Sequence, residues 1–349
     1  MTFMAEKGNS KSDYVLGMGE KIVKYLWWTG LKKAASSMDN KLPKPKQLIV
    51  EFQKGLAEIS SLNKVLGENP FRPFYADDSE LNCKSYDSKQ SYHDALLSFF
   101  IDHETPEDKE DLIKPLLPPE GHLFSHKTPN EKWFFLNGIG TNEDMARINA
   151  RMLSDIFKRP VTPLHNPTNG FIHDLVEVLN GRGNCRKTSI AQSAKDQIWS
   201  ELQVIKEKLK TAGPTGRKEC KVVVIAHSQG GVIMSNVIGM LLEEHPGDPL
   251  LDQLEVYTFA SAHDEFPSPW DQERTVYDVP FCEHFANDND FVARLGVING
   301  GGEKTTGNVY VNHGAGHLLN FHYLRDFEKG KYGKDSRLFS LCNGKRLSD

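Results

Sequence analysis

The sequence has no long apolar run, no closely paired cysteines and no large excess of charge of one sign. Its 349 residues carry 42 Lys and Arg against 47 Asp and Glu, a formal net charge of -5. Because the two signs are interspersed, there is no basic stripe for nucleic acid, and we expect no nucleic-acid partner. No segment reaches membrane-spanning length, so we expect no transmembrane helix. The first ten residues lack the apolar core of a secretory signal, and we expect a cytoplasmic protein.

The cysteine pattern favours neither a disulfide framework nor a metal site. The five cysteines are Cys83, Cys185, Cys220, Cys282 and Cys342. They are odd in number and far apart, and no two have CxxC spacing, so a reduced compartment is the simpler interpretation. His313 and His317 stand four apart as in zinc motifs, but two of the three residues between them are glycine and no glutamate follows the first histidine. We therefore predict no metal.

One stretch combines a buried strand, a tight turn and the start of a helix. Residues 222–225 are four β-branched residues, which is typical of a strand buried on both faces of a parallel sheet. Apolar residues recur at helical spacing from Val232 onward. Ala226 and Gly230 place very small side chains two positions before and after Ser228, where the strand and the helix would nearly touch. This context predicts that Ser228 is a nucleophile at the apex of the turn.

The same stretch resembles the nucleophile elbow of the α/β-hydrolase superfamily, usually Gly-x-Ser-x-Gly, with Ala226 in place of the first glycine as in some small bacterial lipases. The resemblance implies a serine that is followed along the chain by an acid and then by a histidine. It covers residues 131–325 at the level of element order and local motifs. The whole is similar to a fungal-type, lipase-like α/β-hydrolase of unassigned substrate.

The loops beyond Ser228 offer both partners in that order. Residues 286–292, Ala-Asn-Asp-Asn-Asp-Phe-Val, resemble the Asn-x-x-Asp-x-Val stretch that carries the acid in many lipase-like enzymes, which implies Asp290. Asp288 is the alternative, because both lie on one short loop, which follows a strand predicted at 281–285. A strand is predicted at 308–311, and the Gly-His-Leu-Leu that comes after it resembles the histidine loop of the same lipases. His317 is therefore the predicted base, with His313 as the alternative because it lies nearer the strand end.

Chemistry at a carbonyl also needs hydrogen-bond donors for the developing oxyanion. In the fold that the resemblance implies, one donor is the backbone N–H of the residue after the nucleophile, here Gln229. The second comes from the loop after an early strand, and Asn137-Gly-Ile-Gly occupies that place. Its glycines would let the backbone approach a substrate closely. Ile139 or Gly138 is the predicted second donor.

Strands alternate with helices from Trp133 onward, which predicts α/β architecture. We expect an α/β-hydrolase fold, with a central, mostly parallel sheet, helices on both faces and a helical N-terminal extension. Residues 1–128 would pack on or cap the core, and residues 129–349 would form the catalytic domain. Trp27 and Trp28 lie on an apolar helical stripe that could contact a membrane, but such stripes are more often core. Peripheral membrane contact is therefore an unsupported alternative.

The predicted function is that of a serine hydrolase that cleaves a carboxylic ester through an acyl-enzyme and a Ser-His-Asp triad. Its partner would be a small-molecule ester or acyl substrate, and nearby apolar residues hint at an apolar acyl or alcohol group. No cofactor is needed for this chemistry. The same triad would also serve an acyltransferase, thioesterase, lactonase or amidase, because loops build the acceptor pocket. A binding module with a hydrolase-like fold is the alternative from another class.

Overall fold

The structure is a computed structural model, and it describes residues 65–67, 69, 72–100, 112–117, 130–167, 188–267, 280–299 and 305–346. The apolar helical stripe that contains Trp27 and Trp28 lies outside these residues. Within them, no helix is both long and apolar enough to cross a bilayer.

Seven strands of the described residues form one sheet. In chain order they are β1 Lys114–Pro115, β2 Glu131–Leu136, β3 Val161–His165, β4 Lys221–His227, β5 Leu254–Phe259, β6 Phe281–Asn289 and β7 Asn308–Ala315. Their order across the sheet is β1-β3-β2-β4-β5-β6-β7. All neighbouring pairs are parallel except β1 with β3.

Helices connect these strands and cover the sheet. They are α1 Lys89–Phe100, α2 Glu143–Phe157, α3 Ser189–Thr211, α4 Pro214–Glu219, α5 Gln229–Glu244, α6 Phe291–Ala293, α7 Arg325–Glu328 and α8 Arg337–Ser340. The shorter helical turns span Arg72–Phe74, Cys83–Ser85, Pro249–Gln253, Arg294–Ile298, Leu319–Leu324 and Cys342–Gly344. Local chemistry sets the bounds of α2. The Asn142 side chain caps its start, and Lys158 ends it in the left-handed conformation, with φ 54°, just before Pro160.

The alternation of side chains along β4 shows that both faces of the sheet are buried. Val222 and Val224 pack in one apolar cluster with the inner faces of α3 and α5. Val223 and Ile225 pack in a second cluster, with α2 and the C-terminal helices, on the opposite face. A run of β-branched residues therefore fills two cores at once, as such strands do in parallel sheets. The predicted α/β sheet with helices on both faces is confirmed.

The order of the strands reverses direction at β2. After β2 the chain moves outward to β3 and then returns to form β4 on the other side of β2. Open α/β sheets bind ligands at such a reversal, outside the carboxyl ends of the strands. The loops after β2, β4, β6 and β7 all leave the sheet at this edge, because these strands run parallel.

Two strands are longer than the sequence predicts. The strand predicted at 281–285 extends through Asn289, and the one predicted at 308–311 extends through Ala315. Polar and glycine residues at these strand ends suggest loops, but β6 and β7 continue to pair there across a register shift between Asn287 and Asn289.

Candidate active site

Ser228 occupies a strained turn between β4 and α5. Its backbone has φ 58° and ψ −121°, a conformation that costs a non-glycine residue about 1–3 kcal/mol. Two hydrogen bonds hold the turn: the Ser228 N–H donates to the Phe259 carbonyl at 3.0 Å, and the Gly231 N–H donates to the Ser228 carbonyl at 3.0 Å. At Gly230 an added Cβ would lie 2.5 Å from the Leu136 carbonyl oxygen. Glycine is therefore the residue that this approach of helix and strand allows.

A chain of hydrogen bonds leads away from the Ser228 hydroxyl. His317 Nε2 lies 2.8 Å from Ser228 Oγ, and His317 Nδ1 lies 2.8 Å from Asp290 Oδ2. An ionised carboxylate can only accept, so the proton of a neutral imidazole belongs on Nδ1. Nε2 is then the acceptor for the Ser228 O–H. This is the arrangement in which an imidazole can take a proton from a serine hydroxyl.

The three side chains come from three strand ends and are covered. Asp290 follows β6 and caps α6, where its Oδ1 accepts from the Val292 N–H at 2.9 Å. His317 lies two residues beyond β7. Ser228 and His317 are each 2% exposed, and Asp290 is fully buried. In this low-dielectric setting, their mutual hydrogen bonds are stronger than they would be in water.

The two alternatives from the sequence, Asp288 and His313, bond to each other instead. His313 Nδ1 lies 2.6 Å from Asp288 Oδ2, and the His313 side chain is 89% exposed. The hydrogen bond from His313 lowers the pKa of Asp288 below its ordinary value. This pair faces solvent, while Ser228, His317 and Asp290 bond to one another. The chain thus carries a buried aspartate–histidine pair next to a serine and an exposed one on the surface.

The predicted oxyanion donors lie on two sides of Ser228. Gln229 is the first residue of α5, so no carbonyl within the helix can accept a hydrogen bond from its N–H. Gly138, in the loop after β2, packs directly against the serine. A Cβ added there would lie 2.6 Å from Ser228 Cβ and 3.2 Å from Ser228 Oγ. The Ile139 side chain is buried beside them. The geometry therefore brings both predicted backbone segments to Ser228.

The side chains of two asparagines, neither of them predicted as a site residue, link these segments by hydrogen bonds. Asn137 Nδ2 donates to the Gly138 carbonyl at 2.8 Å and to the Asn166 carbonyl at 3.0 Å. Asn166 Nδ2 in turn donates to Gln229 Oε1 at 2.8 Å. Asn137 and Asn166 directly follow β2 and β3. Their position at the carboxyl ends of adjacent strands is the sequence feature that could have identified them as site residues.

Comparisons with known proteins agree with this architecture. Residues 140–270 match the model of a family described as "Putative serine esterase (DUF676)". The match covers less than half of the chain and includes Ser228, whereas Asp290 and His317 lie beyond it. The mostly parallel sheet and the turn at Ser228 give the chain the architecture of an α/β-hydrolase fold. The family match supports a serine ester hydrolase, an enzyme of the esterase type.

Two further comparisons concern curated proteins and solved structures. No curated protein is a significant match. Among solved structures, the chain is similar to one titled "Structure of arylesterase", with 9% sequence identity and a TM-score of 0.32. That alignment covers 75% of this chain and 94% of the other.

His227, the residue before the serine, supports the histidine loop of the hydrolase. Its Nε2 lies 2.9 Å from the His317 carbonyl oxygen, and the two rings are 4.9 Å apart. Burial, aided by the neighbouring His317, holds the pKa of His227 well below its usual range. His227 is therefore neutral at physiological pH, and its Nε2–H donates to that carbonyl. Sequence reasoning treated His227 only as part of the turn, because its partner lies 90 residues away.

The N-terminal part of the hydrolase also reaches the histidine loop. The His317 N–H donates to the Val65 carbonyl at 2.7 Å. The buried Glu80 carboxylate accepts from the Asn320 N–H at 3.0 Å and from the Phe321 N–H at 3.3 Å. These residues belong to a region expected to pack on or cap the core. The proposed division at residues 128 and 129 stays a prediction.

The described ranges contain no cluster of three or more His, Cys, Asp or Glu side chains that could hold a metal ion.

The contact at Gly138 gives a direct test of the site. Gly138→Ala would place a methyl group against Ser228 Cβ and Oγ, and the serine or the loop must shift. Because a displacement of about 1 Å can cost a hundredfold in rate, we expect kcat/KM on an activated ester to fall by about that factor. Gly213→Ala is the matched control, since an added Cβ there meets nothing within 4 Å. Equal activity of the two variants, at similar melting temperatures, would contradict a site at which Gly138 lies against the reacting serine.

Proposed function

We propose that this α/β-hydrolase is a serine esterase that cleaves a carboxylic ester through an acyl-enzyme at Ser228. One observation carries the proposal: an unbroken series of hydrogen bonds runs from Ser228 through His317 to Asp290, with 2.8 Å at each step. The serine that begins it sits on a strained turn at the carboxyl end of β4. Exposed or structural serines need neither feature.

In the first half-reaction His317 Nε2 takes the proton of the Ser228 hydroxyl while Oγ attacks the ester carbonyl carbon. The carbonyl π electrons move to oxygen, and the imidazolium is stabilised by the Asp290 carboxylate at Nδ1. Collapse of the tetrahedral intermediate breaks the bond to the leaving oxygen. His317 then gives its proton to that oxygen, so an alcohol leaves and an ester of Ser228 remains.

The second half-reaction reverses these proton movements with water. His317 takes a proton from water, the hydroxide attacks the acyl carbon, and the returning proton regenerates the Ser228 hydroxyl as the carboxylic acid leaves. In both halves, the oxyanion would lie between the backbone N–H of Gln229 and that of Gly138 or Ile139. Each such donor is worth about 3 kcal/mol of transition-state stabilisation.

Apolar side chains next to the catalytic residues favour an apolar substrate group. Ile139, Val232, Val292 and Leu318 lie in one apolar cluster, and each is within four residues of a proposed catalytic or oxyanion residue. Part of that cluster comes from the N-terminal region, including Phe74. An acyl or alcohol group without charge would bury apolar area against such a wall at about 25 cal/mol per Å².

A panel of substrates tests the reaction class. We expect hydrolysis of p-nitrophenyl esters with kcat/KM that rises from acetyl to longer acyl chains, because each buried methylene adds about 0.8 kcal/mol. A thioester and an anilide of the same acyl group belong in the panel, since the same triad would serve a thioesterase or an amidase. Inactivity on every ester, with turnover of the thioester or the anilide, would overturn the esterase proposal. Inactivity throughout, without labelling by a fluorophosphonate, would favour a binding module.

A further inference from the structure

The acid of the triad has a second side-chain partner that the proposed mechanism does not use. Tyr323 lies in the helical turn Leu319–Leu324, and its hydroxyl oxygen is 2.6 Å from Asp290 Oδ2. This is the same carboxylate oxygen that faces His317 Nδ1. Tyr323 is fully buried, and its ring meets Phe259 edge to face. The hydroxyl is therefore held in place by packing on the body of its ring.

The direction of the Tyr323 hydrogen bond follows from its other partner. The Asn287 N–H donates to the Tyr323 hydroxyl oxygen at 3.1 Å, which occupies a lone pair of that oxygen. A phenol has one proton to give, and Asp290 Oδ2 is the acceptor that lies within reach. Burial, reinforced by the Asp290 charge, raises the pKa of Tyr323 well above its ordinary value, so the proton stays on. Tyr323 therefore donates to the carboxylate.

Asp290 consequently accepts three hydrogen bonds. Oδ1 accepts from the Val292 N–H, and Oδ2 accepts from both His317 and Tyr323. A fully buried carboxylate needs such partners, because burying an unpaired charge is costly. Hydrogen bonds to the charged form also favour that form. The Tyr323 donor thus helps to keep Asp290 ionised, and it draws negative charge away from the oxygen that faces the imidazole.

We propose that Tyr323 is a positioning residue of the catalytic machinery, which aims Asp290 Oδ2 at His317 and moderates how strongly that oxygen stabilises the imidazolium. This inference rests on the proposed serine-hydrolase function. Tyr323 touches no reacting atom and acts through Asp290. A purely structural tyrosine would have no effect on the protonation of His317, and this difference provides the test.

Other titratable groups surround this set and must be separated from it. They are His227 from β4, His322 from the same turn, Tyr332 and Asp326 from the segment that follows, and Glu80 from the N-terminal region. Burial lowers the pKa of His322 to about 4 and holds the pKa of His227 well below its usual range. Burial also raises the pKa of Glu80 above its ordinary value. All of these groups are unchanged in a Tyr323 variant, so a movement of the acid limb relative to the wild type reports the change at the Asp290–His317 pair.

Tyr323→Phe keeps the ring and removes the donor. Oδ2 then carries more negative charge toward the imidazole, which favours the imidazolium. We expect the acid limb of the kcat/KM profile on a p-nitrophenyl ester to move up by about half a pH unit to one unit. Because the carboxylate loses one of its two side-chain restraints, kcat at its optimum should fall by about tenfold with KM within about twofold.

Tyr332→Phe is the matched control. Tyr332 stacks on Tyr323, and its hydroxyl donates to Asn287 Oδ1 at 2.7 Å without touching Asp290. This variant loses a buried tyrosine hydroxyl from the same neighbourhood, so we expect a comparable drop in melting temperature and no movement of the acid limb. An acid limb that stays in place in Tyr323→Phe, or that moves equally in both variants, would overturn the proposal.

Two further measurements keep the outcome decisive. If Tyr323→Phe fails to fold, site-specific replacement of Tyr323 by 3-fluorotyrosine keeps the hydroxyl and makes it a stronger donor, so the acid limb should move down instead. An acid limb that stays in place in the 3-fluorotyrosine protein overturns the proposal.

The wild-type chain is also labelled with a fluorophosphonate. Absence of wild-type labelling and turnover would remove the proposed function and this role together, whereas an active wild type with an unmoved limb in the variants would remove only the role of Tyr323.

Discussion

Ser228→Ala is expected to lower kcat on an activated ester by about 10⁵-fold or more, to the level of the oxyanion donors and binding alone. The substitution removes the attacking oxygen and leaves His317 without the proton that it is placed to accept. Fluorophosphonate labelling should vanish with it, since the probe forms its bond to the same oxygen. The fold should survive, because the change removes a single small side-chain oxygen, whose hydrogen bond is to His317 Nε2.

Ser235→Ala provides the control for Ser228→Ala. Ser235 lies on α5, and its buried hydroxyl donates to the Glu265 carbonyl at 2.7 Å. Its loss removes a comparable buried hydroxyl outside the catalytic set, so labelling and kcat should remain close to those of the wild type. Labelling that persists in Ser228→Ala, with the adduct on another residue by peptide mapping, would overturn the assignment of the nucleophile.

The two aspartates of the β6 end are expected to differ by about a thousandfold or more. Asp290→Asn replaces the acceptor at His317 Nδ1 with an amide that can present an N–H there, which favours the wrong tautomer of the imidazole. Losses of about 10⁴-fold in kcat accompany such a change in a serine triad. Asp288→Asn instead weakens an exposed pair with His313, and pairs of that kind contribute about 0–1 kcal/mol. Its kcat should stay within about twofold.

Measured kcat values for both aspartate variants, at matched melting temperatures, decide between the two candidate acids. A large loss in Asp288→Asn with normal rates in Asp290→Asn would reverse the assignment. The histidines allow the same comparison, because His313→Ala removes the exposed partner and His317→Ala removes the buried one. Agreement between the two series would show that one aspartate–histidine pair acts as a unit.

The sequence was sufficient to predict the sheet and the turn at Ser228, because both depend on local signals. Four β-branched residues, very small residues at fixed offsets and a helical apolar period all lie within one short stretch. The choice between Asp288 and Asp290 was not available in the same way. Two residues apart on a regular strand, they would share a face, but Asp288 lies on β6 whereas Asp290 lies beyond its end and caps α6. The sequence pattern does not show that the strand ends between them.

The residues that support the site were harder to find because their partners are distant in sequence. His227, Asn166 and Tyr323 act on groups between 33 and 90 positions away. No periodicity or spacing encodes such contacts, which form only when strand ends meet at one edge of the sheet. Sequence motifs therefore identify groups that react, while the packing of the fold identifies groups that hold them.

The contacts of Val65 and Glu80 show how much of the N-terminal region the histidine loop depends on. A protein shortened to begin at residue 129 would lose the carbonyl that accepts the His317 N–H and the carboxylate that accepts from Asn320 and Phe321. Three backbone donors at His317, Asn320 and Phe321 would then have to find water or rearrange. Any minimal version of the protein should therefore include Val65, even though Ser228, Asp290 and His317 all lie in the second half of the chain.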